Sequence, residues 1–208
     1  MSLPPQFSGH RISGNADAKH TLELYLDYVC PFSAKIWKQV YEHVLPWLEK
    51  THPGQVQVIF RNQIQPWHPS STLVAEAALA VEQIDPSQFA PYSNALFINQ
   101  KSYFDEAVVD KTRTDQYKSL SALAATTSPS SVKESQVLAL LHIAPVATAT
   151  EATNHGNKIT NDLKYFIKLG RQTGIHVSPT VLWDGIVENS ISSGWTLDQW
   201  KEFLGSKF

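Results

Sequence analysis

The chemistry in this sequence concentrates in Cys30-Pro31-Phe32-Ser33, which holds the only cysteine among 208 residues. The tetrapeptide joins a strand-like run, Thr21 to Tyr28, to a helix-like run beginning near Ser33. A thiol at such a junction faces the positive end of a helix dipole and unpaired backbone N–H groups, both of which favour the nucleophilic thiolate. Ser33 stands where a second thiol would, and its hydroxyl is too basic to resolve a mixed disulfide. The competing reading of a lone cysteine is a small buried hydrophobe. Pro31 at the helix entry, with Tyr28 and Phe32 alongside, favours the reactive one.

Two further groups lie within reach of that junction in sequence. Asp27, three residues before Cys30, is expected to be a solvated strand-end residue; turned inward, it would serve as a proton acceptor. Pro66-Trp67-His68-Pro69 follows a second strand. It reads either as a loop with a packed Trp or as one wall of a groove beside Cys30, where His68 would stabilise a thiolate.

Composition removes several classes. One cysteine excludes an intramolecular disulfide and a cysteine-based zinc cluster, and no His or acidic spacing points to a metal. His142 and His155 have no evident partners. A net charge of −2 gives no electrostatic reason to bind nucleic acid or an anionic membrane. No apolar run approaches the roughly 18 residues of a membrane span, and the N-terminus has no secretory h-region. A reducing, cytoplasmic setting is the expectation.

The elements that must position these residues follow from periodicity. Leu22, Leu24 and Leu26 alternate with Glu23, Tyr25 and Asp27 as a strand does. Ile36, Val40, Val44, Leu45 and Leu48 recur at helical spacing over Ser33 to about Lys50, with Pro46 predicting a kink or an early stop. Gln55 to Phe60 is a second strand, completing a right-handed βαβ unit. From Pro69 to about Gly174 the pattern is helical. Helices are marked by Leu73 to Ile84, Phe89 to Phe97, Asp115 to Ala125, Ser131 to Leu141 and Ile159 to Gly170, with a small-residue linker from Pro145 to Thr153. Pro179 to Trp183 and Ile186-Val187 form a hairpin through Asp184-Gly185. Thr196 to Gln199 is a capping box opening a terminal helix.

The order βαβ, helical block, ββα, with a strand-end cysteine at the front, resembles the thioredoxin fold carrying a helical insertion, as in DsbA-like proteins. The resemblance rests on Gly14 through Ser33 and on Gly174-Ile-His-Val-Ser-Pro-Thr-Val-Leu-Trp-Asp-Gly185, and runs from about Asn15 to Leu204. It implies an α/β thioredoxin-like domain over 15–66 and 175–208, an all-helical insertion over 67–174, and a flexible lead-in over 1–14. It also implies that the Ser178–Pro179 bond is cis and lies beside Cys30, where the Ser178 backbone would pair with an extended peptide or with glutathione. The family's two-cysteine motif is interrupted by Ser33.

The resemblance therefore leads to a monothiol thiol–disulfide oxidoreductase. Cys30 is its nucleophile, Ser33 a hydrogen-bond donor to the thiolate, and Pro179 shapes the site. Pro31, Phe32, Ser178, Trp67 and His68 line the substrate side. Its partners would be protein thiols or disulfides, or glutathione as a co-substrate with no bound cofactor, and a homodimer is compatible with it. Two alternatives stand beside it. One is a glutathione-binding transferase or isomerase of the kappa-class type, whose motif typically has Ser-Pro where this chain has Cys30-Pro31. The other is a non-catalytic, chaperone-like peptide binder.

Overall fold

The computed structural model describes residues 3–146 and 148–208, so that Met1 and Ser2 of the lead-in and Ala147 of the small-residue linker lie outside it. Five strands form one sheet in the order β1-β3-β2-β4-β5, built from Arg11–Ser13, His20–Leu26, Val56–Asn62, Thr180–Trp183 and Ile186–Val187. β2 and β3 are parallel and all other neighbours antiparallel. The connection between β2 and β3 is helical: α1 (Pro31–Gln39), a π turn (Val40–Val44) and α2 (Leu45–Thr51). Pro46 produces that turn rather than a stop. Lacking an N–H, it enters at the first turn of α2, where no intrahelical donor is required, and the Leu45 N–H reaches back five residues to the Val40 carbonyl.

Between β3 and β4 run α3 (Ser71–Ile84), α4 (Phe89–Ile98), the short α5 (Asp105–Val108), α6 (Arg113–Thr127), α7 (Glu134–Leu141) and α8 (Thr160–Gln172). α7 begins three residues later than its periodicity predicts, because the Val132 N–H is held in a turn by the Ser128 carbonyl at 2.9 Å. α9 (Leu197–Gly205) closes the chain behind the Thr196/Gln199 capping box. In the β4–β5 hairpin Asp184 and Gly185 have φ of 49° and 82°, the positive values that a two-residue turn of this kind requires.

β2 lies at the centre of the sheet and is covered on both faces. Leu22, Leu24 and Leu26 join the main core with Val58, Phe60, Trp37 and Trp183. Its other face, which alternation alone reads as polar, is buried as well. Glu23 meets Arg61 at 2.7 Å, both nearly inaccessible, and Tyr25 packs with Ile175 and Leu182 in a second, smaller cluster. A polar residue in a strand is thus not a solvent marker when a neighbouring strand brings its counter-charge.

The lead-in expected over 1–14 is, from Pro5 onward, part of this architecture. A 3-10 turn (Pro5–His10) buries Phe7 and His10, and β1 pairs with the edge of β3. Phe7 lies against Tyr165 and Phe166 of α8. His10 stacks between Phe89 and Phe166 at centroid distances of 4.0 and 4.4 Å, so the segment seals the junction of sheet and helices. Among the described residues no helix is long and apolar enough to cross a membrane.

Candidate active site

Cys30 is the N-cap of α1, with Pro31 at the first helical position. Its carbonyl accepts the Ala34 N–H at 3.1 Å and its own N–H is held by the Asp27 carbonyl at 3.1 Å, so the turn is pinned at both ends. From the helical side, the Gln100 amide donates to the carbonyls of Tyr28 at 2.9 Å and Cys30 at 3.4 Å, while Tyr28 shares a hydrogen bond with Ser93 at 2.7 Å. The sulfur makes no capping bond. Its thiol instead donates to the Ser178 carbonyl oxygen at 3.5 Å. The Ser178–Pro179 peptide bond is cis. Two segments 148 residues apart thus meet at the sulfur.

Cys30 is 5% exposed, whereas Phe32 next to it is 63% exposed and Trp67 is 60% exposed. The sulfur is therefore recessed, although its chain neighbour Phe32 and Val177, next to Ser178, are exposed. Pro31, Phe32 and Ser178 are brought together around the thiol. Pro179 adjoins it through the Ser178 carbonyl.

Two expectations are corrected. Asp27 is not a solvated strand end: it is 1% exposed and holds three donors. One carboxylate oxygen accepts the Val29 N–H at 3.0 Å, and the other accepts the Gln65 N–H at 3.0 Å and His68 Nδ1 at 3.1 Å. Burial is tolerable because every approach is a hydrogen bond to charge. Ser33 is fully buried, and its hydroxyl oxygen accepts the Asp27 N–H at 3.3 Å instead of turning to the sulfur. Among the described residues no hydrogen bond joins Ser33 to Cys30.

His68 thereby acquires a defined form. A carboxylate only accepts, so Nδ1 carries the proton toward Asp27 and Nε2 is left over. Among the described residues Nε2 has no hydrogen-bond partner, and His68 borders a pocket of about 150 Å³ with Val29 and Pro31, the residues on either side of Cys30. Asp105 and Glu106 also line that pocket. Trp67 faces elsewhere, into a separate cleft with Ile175 and His176. The loop 65–68 thus separates the two residues that the sequence places side by side. Sequence reasoning missed Asp27 as the hub. Half of it was detectable locally, since an Asp accepting the N–H two residues on is an Asx turn; the His68 half required the fold.

A family model described as thioredoxin matches residues 7–204. The chain belongs to the thioredoxin family. Within that family its fold is DsbA-like. It is similar to a Pseudomonas syringae protein assigned as a protein-disulfide isomerase, with 23% identity over 90% of this chain and 94% of that one and a TM-score of 0.68. BdbD of Bacillus subtilis is 21% identical over 100% and 97% of the two chains, TM-score 0.64. MdbA of Corynebacterium diphtheriae, a thiol-disulfide oxidoreductase, is 19% identical over 92% and 85%, TM-score 0.60. Comparison with the curated proteins gave no match. The helical block of the thioredoxin-family chain is packed on the sheet through α8 and on the active turn through Gln100, Ser93 and the Trp37–Asn94 hydrogen bond of 3.0 Å.

Proposed function

We propose that this thioredoxin-family chain performs thiol–disulfide exchange with one thiol. The observation that carries the reading is the only cysteine of the chain at the N-cap of α1, its sulfur 3.5 Å from the carbonyl of Ser178. The likeness to solved proteins named as thiol–disulfide exchange proteins supports it. The Cys30 thiolate attacks one sulfur of a disulfide. A Cys30–S–S–R bond forms as the original S–S bond breaks, and the other half departs as a thiolate that takes up a proton. Exchange cannot be completed internally, because the residue three positions on is Ser33. An external thiol, for which glutathione is the proposed co-substrate, attacks the R sulfur, forms the new disulfide and returns Cys30 as thiolate. His68, held by Asp27 with Nε2 unused, takes the proton of the Cys30 thiol, passes it to the departing thiolate and takes that of the entering thiol. A compartment that provides reduced thiol suits this cycle, and the cytoplasmic setting belongs to the same proposal.

Intact-mass analysis after exposure to glutathione disulfide tests it. One glutathione adduct is expected on Cys30, reversed by free glutathione and absent from Cys30→Ala. A folded protein that forms no adduct, while its urea-unfolded chain does, would remove the reading. Peptide binding that survives Cys30→Ala without any adduct would favour the non-catalytic alternative instead. Ser33→Cys is expected to confer disulfide reductase activity, because the added thiol stands three residues along the same helix entry.

A further inference from the structure

We infer that the cleft between the β3 exit loop and α8 is a carboxylate subsite for the peptide held at Cys30, selecting an acidic residue two positions from the substrate cysteine. The inference rests on the thiol-exchange reading for where the peptide's sulfur sits. The cleft has a volume of about 410 Å³, and Ile64, Ile167, Ile175 and Trp67 form its apolar wall. Arg171 and His176 stand exposed along it, and neither side chain has a hydrogen-bond or ion-pair partner among the described residues. A third group is buried: Gln65 lines the cleft at 1% exposure, and its amide Nε2 has no partner.

Arg171 and the Gln65 amide nitrogen both call for an acceptor. A guanidinium only donates, an amide nitrogen only donates, and among the described residues no Asp or Glu lines the cleft. The Gln63 amide is already committed to the Ile175 carbonyl at 3.3 Å. What is missing is an acceptor, and a planar carboxylate matches the two-pronged guanidinium. The pocket across the 65–68 loop, with Asp105 and Glu106, has the opposite character and would repel it.

Position gives the register. His176 precedes by two residues Ser178, whose carbonyl touches the Cys30 sulfur. Two residues of extended chain span at most about 7 Å. A peptide lying along 176–178 with its cysteine at Cys30 therefore reaches the cleft with the side chain two residues away.

Two measurements separate this subsite from the exchange reaction. Calorimetric titration of the Cys30→Ser protein uses peptides with Ser in place of the substrate cysteine and Glu, Gln or Lys two residues away, on either side. The Glu peptide in one of the two orders is expected to bind about tenfold more tightly than the Gln peptide, and Arg171→Glu is expected to reverse the ranking in favour of Lys. Equal or undetectable binding of all three, or a ranking that Arg171→Glu leaves unchanged, overturns the subsite. The second measurement is mixed-disulfide formation by the unaltered protein with the corresponding cysteine peptides. A Glu preference in binding with no adduct would fail the exchange reading and keep the subsite. Adducts with no charge preference in binding would do the reverse.

Discussion

Two of the molecule's histidine–carboxylate pairs are built from similar parts and put to different ends. His10 Nδ1 lies 2.8 Å from Glu82, and His68 Nδ1 lies 3.1 Å from Asp27. In both, the carboxylate also accepts backbone N–H groups: Glu82 accepts that of His10 itself, and Asp27 accepts those of Val29 and Gln65. The difference is in the second ring nitrogen. His10 is fully buried between two phenylalanine rings, and its Nε2 is taken by the Asn62 amide at 3.1 Å. The His68 side chain is 24% exposed, and its Nε2 is left over beside the turn that carries Cys30. A pair with neither ring nitrogen open to a pocket can only hold structure. A pair with one basic nitrogen open to a pocket can move a proton.

Removing one member of the closed pair should have the largest effect on stability. Glu82→Leu strands the ring and backbone N–H of His10 in the core, and is expected to cost about 3–5 kcal/mol in urea denaturation. The protein that remains folded should keep its rate of glutathione adduct formation. Replacing both partners, His10→Phe with Glu82→Leu, should recover part of that loss, since an apolar pair of similar volume avoids the unpaired groups. If the single variant also abolished exchange in its folded fraction, the division of labour between the pairs would fail.

The open pair should behave in the opposite sense. His68→Ala is expected to slow resolution of the mixed disulfide by about 100-fold, a typical contribution of one positioned proton carrier, with unfolding free energy changed by less than about 1 kcal/mol. Stopped-flow exchange with glutathione beside a denaturation curve reads both quantities. Asp27→Asn should affect both at once. The amide cannot accept at its nitrogen, so at least one of the three donors to Asp27 is left unpaired, at about 1–3 kcal/mol, and His68 loses the partner that fixes its tautomer.

The smallest effect is a pH dependence confined to the closed pair. Burial holds the His10 ring below its ordinary value of 6.5, against the raising influence of Glu82, and Arg61 lowers it further. The unfolded chain therefore binds a proton that the folded one resists. Stability from this residue is present above about pH 6.5 and is lost as pH falls below it, with a slope of at most about 1.4 kcal/mol per pH unit. Denaturation midpoints between pH 7 and pH 5 should fall less steeply for His10→Phe. An unchanged slope in that variant would locate the acid sensitivity elsewhere.

Much of the scaffold was legible before any contact was known, because it depends on near neighbours. The capping box at Thr196, the turn at Asp184-Gly185, the placement of Cys30 before Pro31 and the helical run after β3 each follow from residues within a few positions. The boundaries that slipped did so where a neighbour intervened, as at the π turn before Pro46 and the Ser128 turn before α7. The fate of the N-terminal segment was not legible. Phe7 and His10 are ordinary residues in a Pro- and Gly-punctuated stretch until α8 and β3 arrive to cover them.

From the sequence alone came a solitary thiol at a strand-to-helix junction, a serine unable to resolve what that thiol binds, and the order of elements around them. Those properties are matters of residue type and local periodicity. Only the tertiary structure decided that Asp27 faces inward, that Ser33 serves Asp27 and not the sulfur, that His68 and Trp67 part company across one loop, and that Arg171 shares a cleft with Gln65. Those outcomes depend on which groups the fold brings together and buries, most of them tens of residues apart, and such pairings leave no periodic trace in the chain.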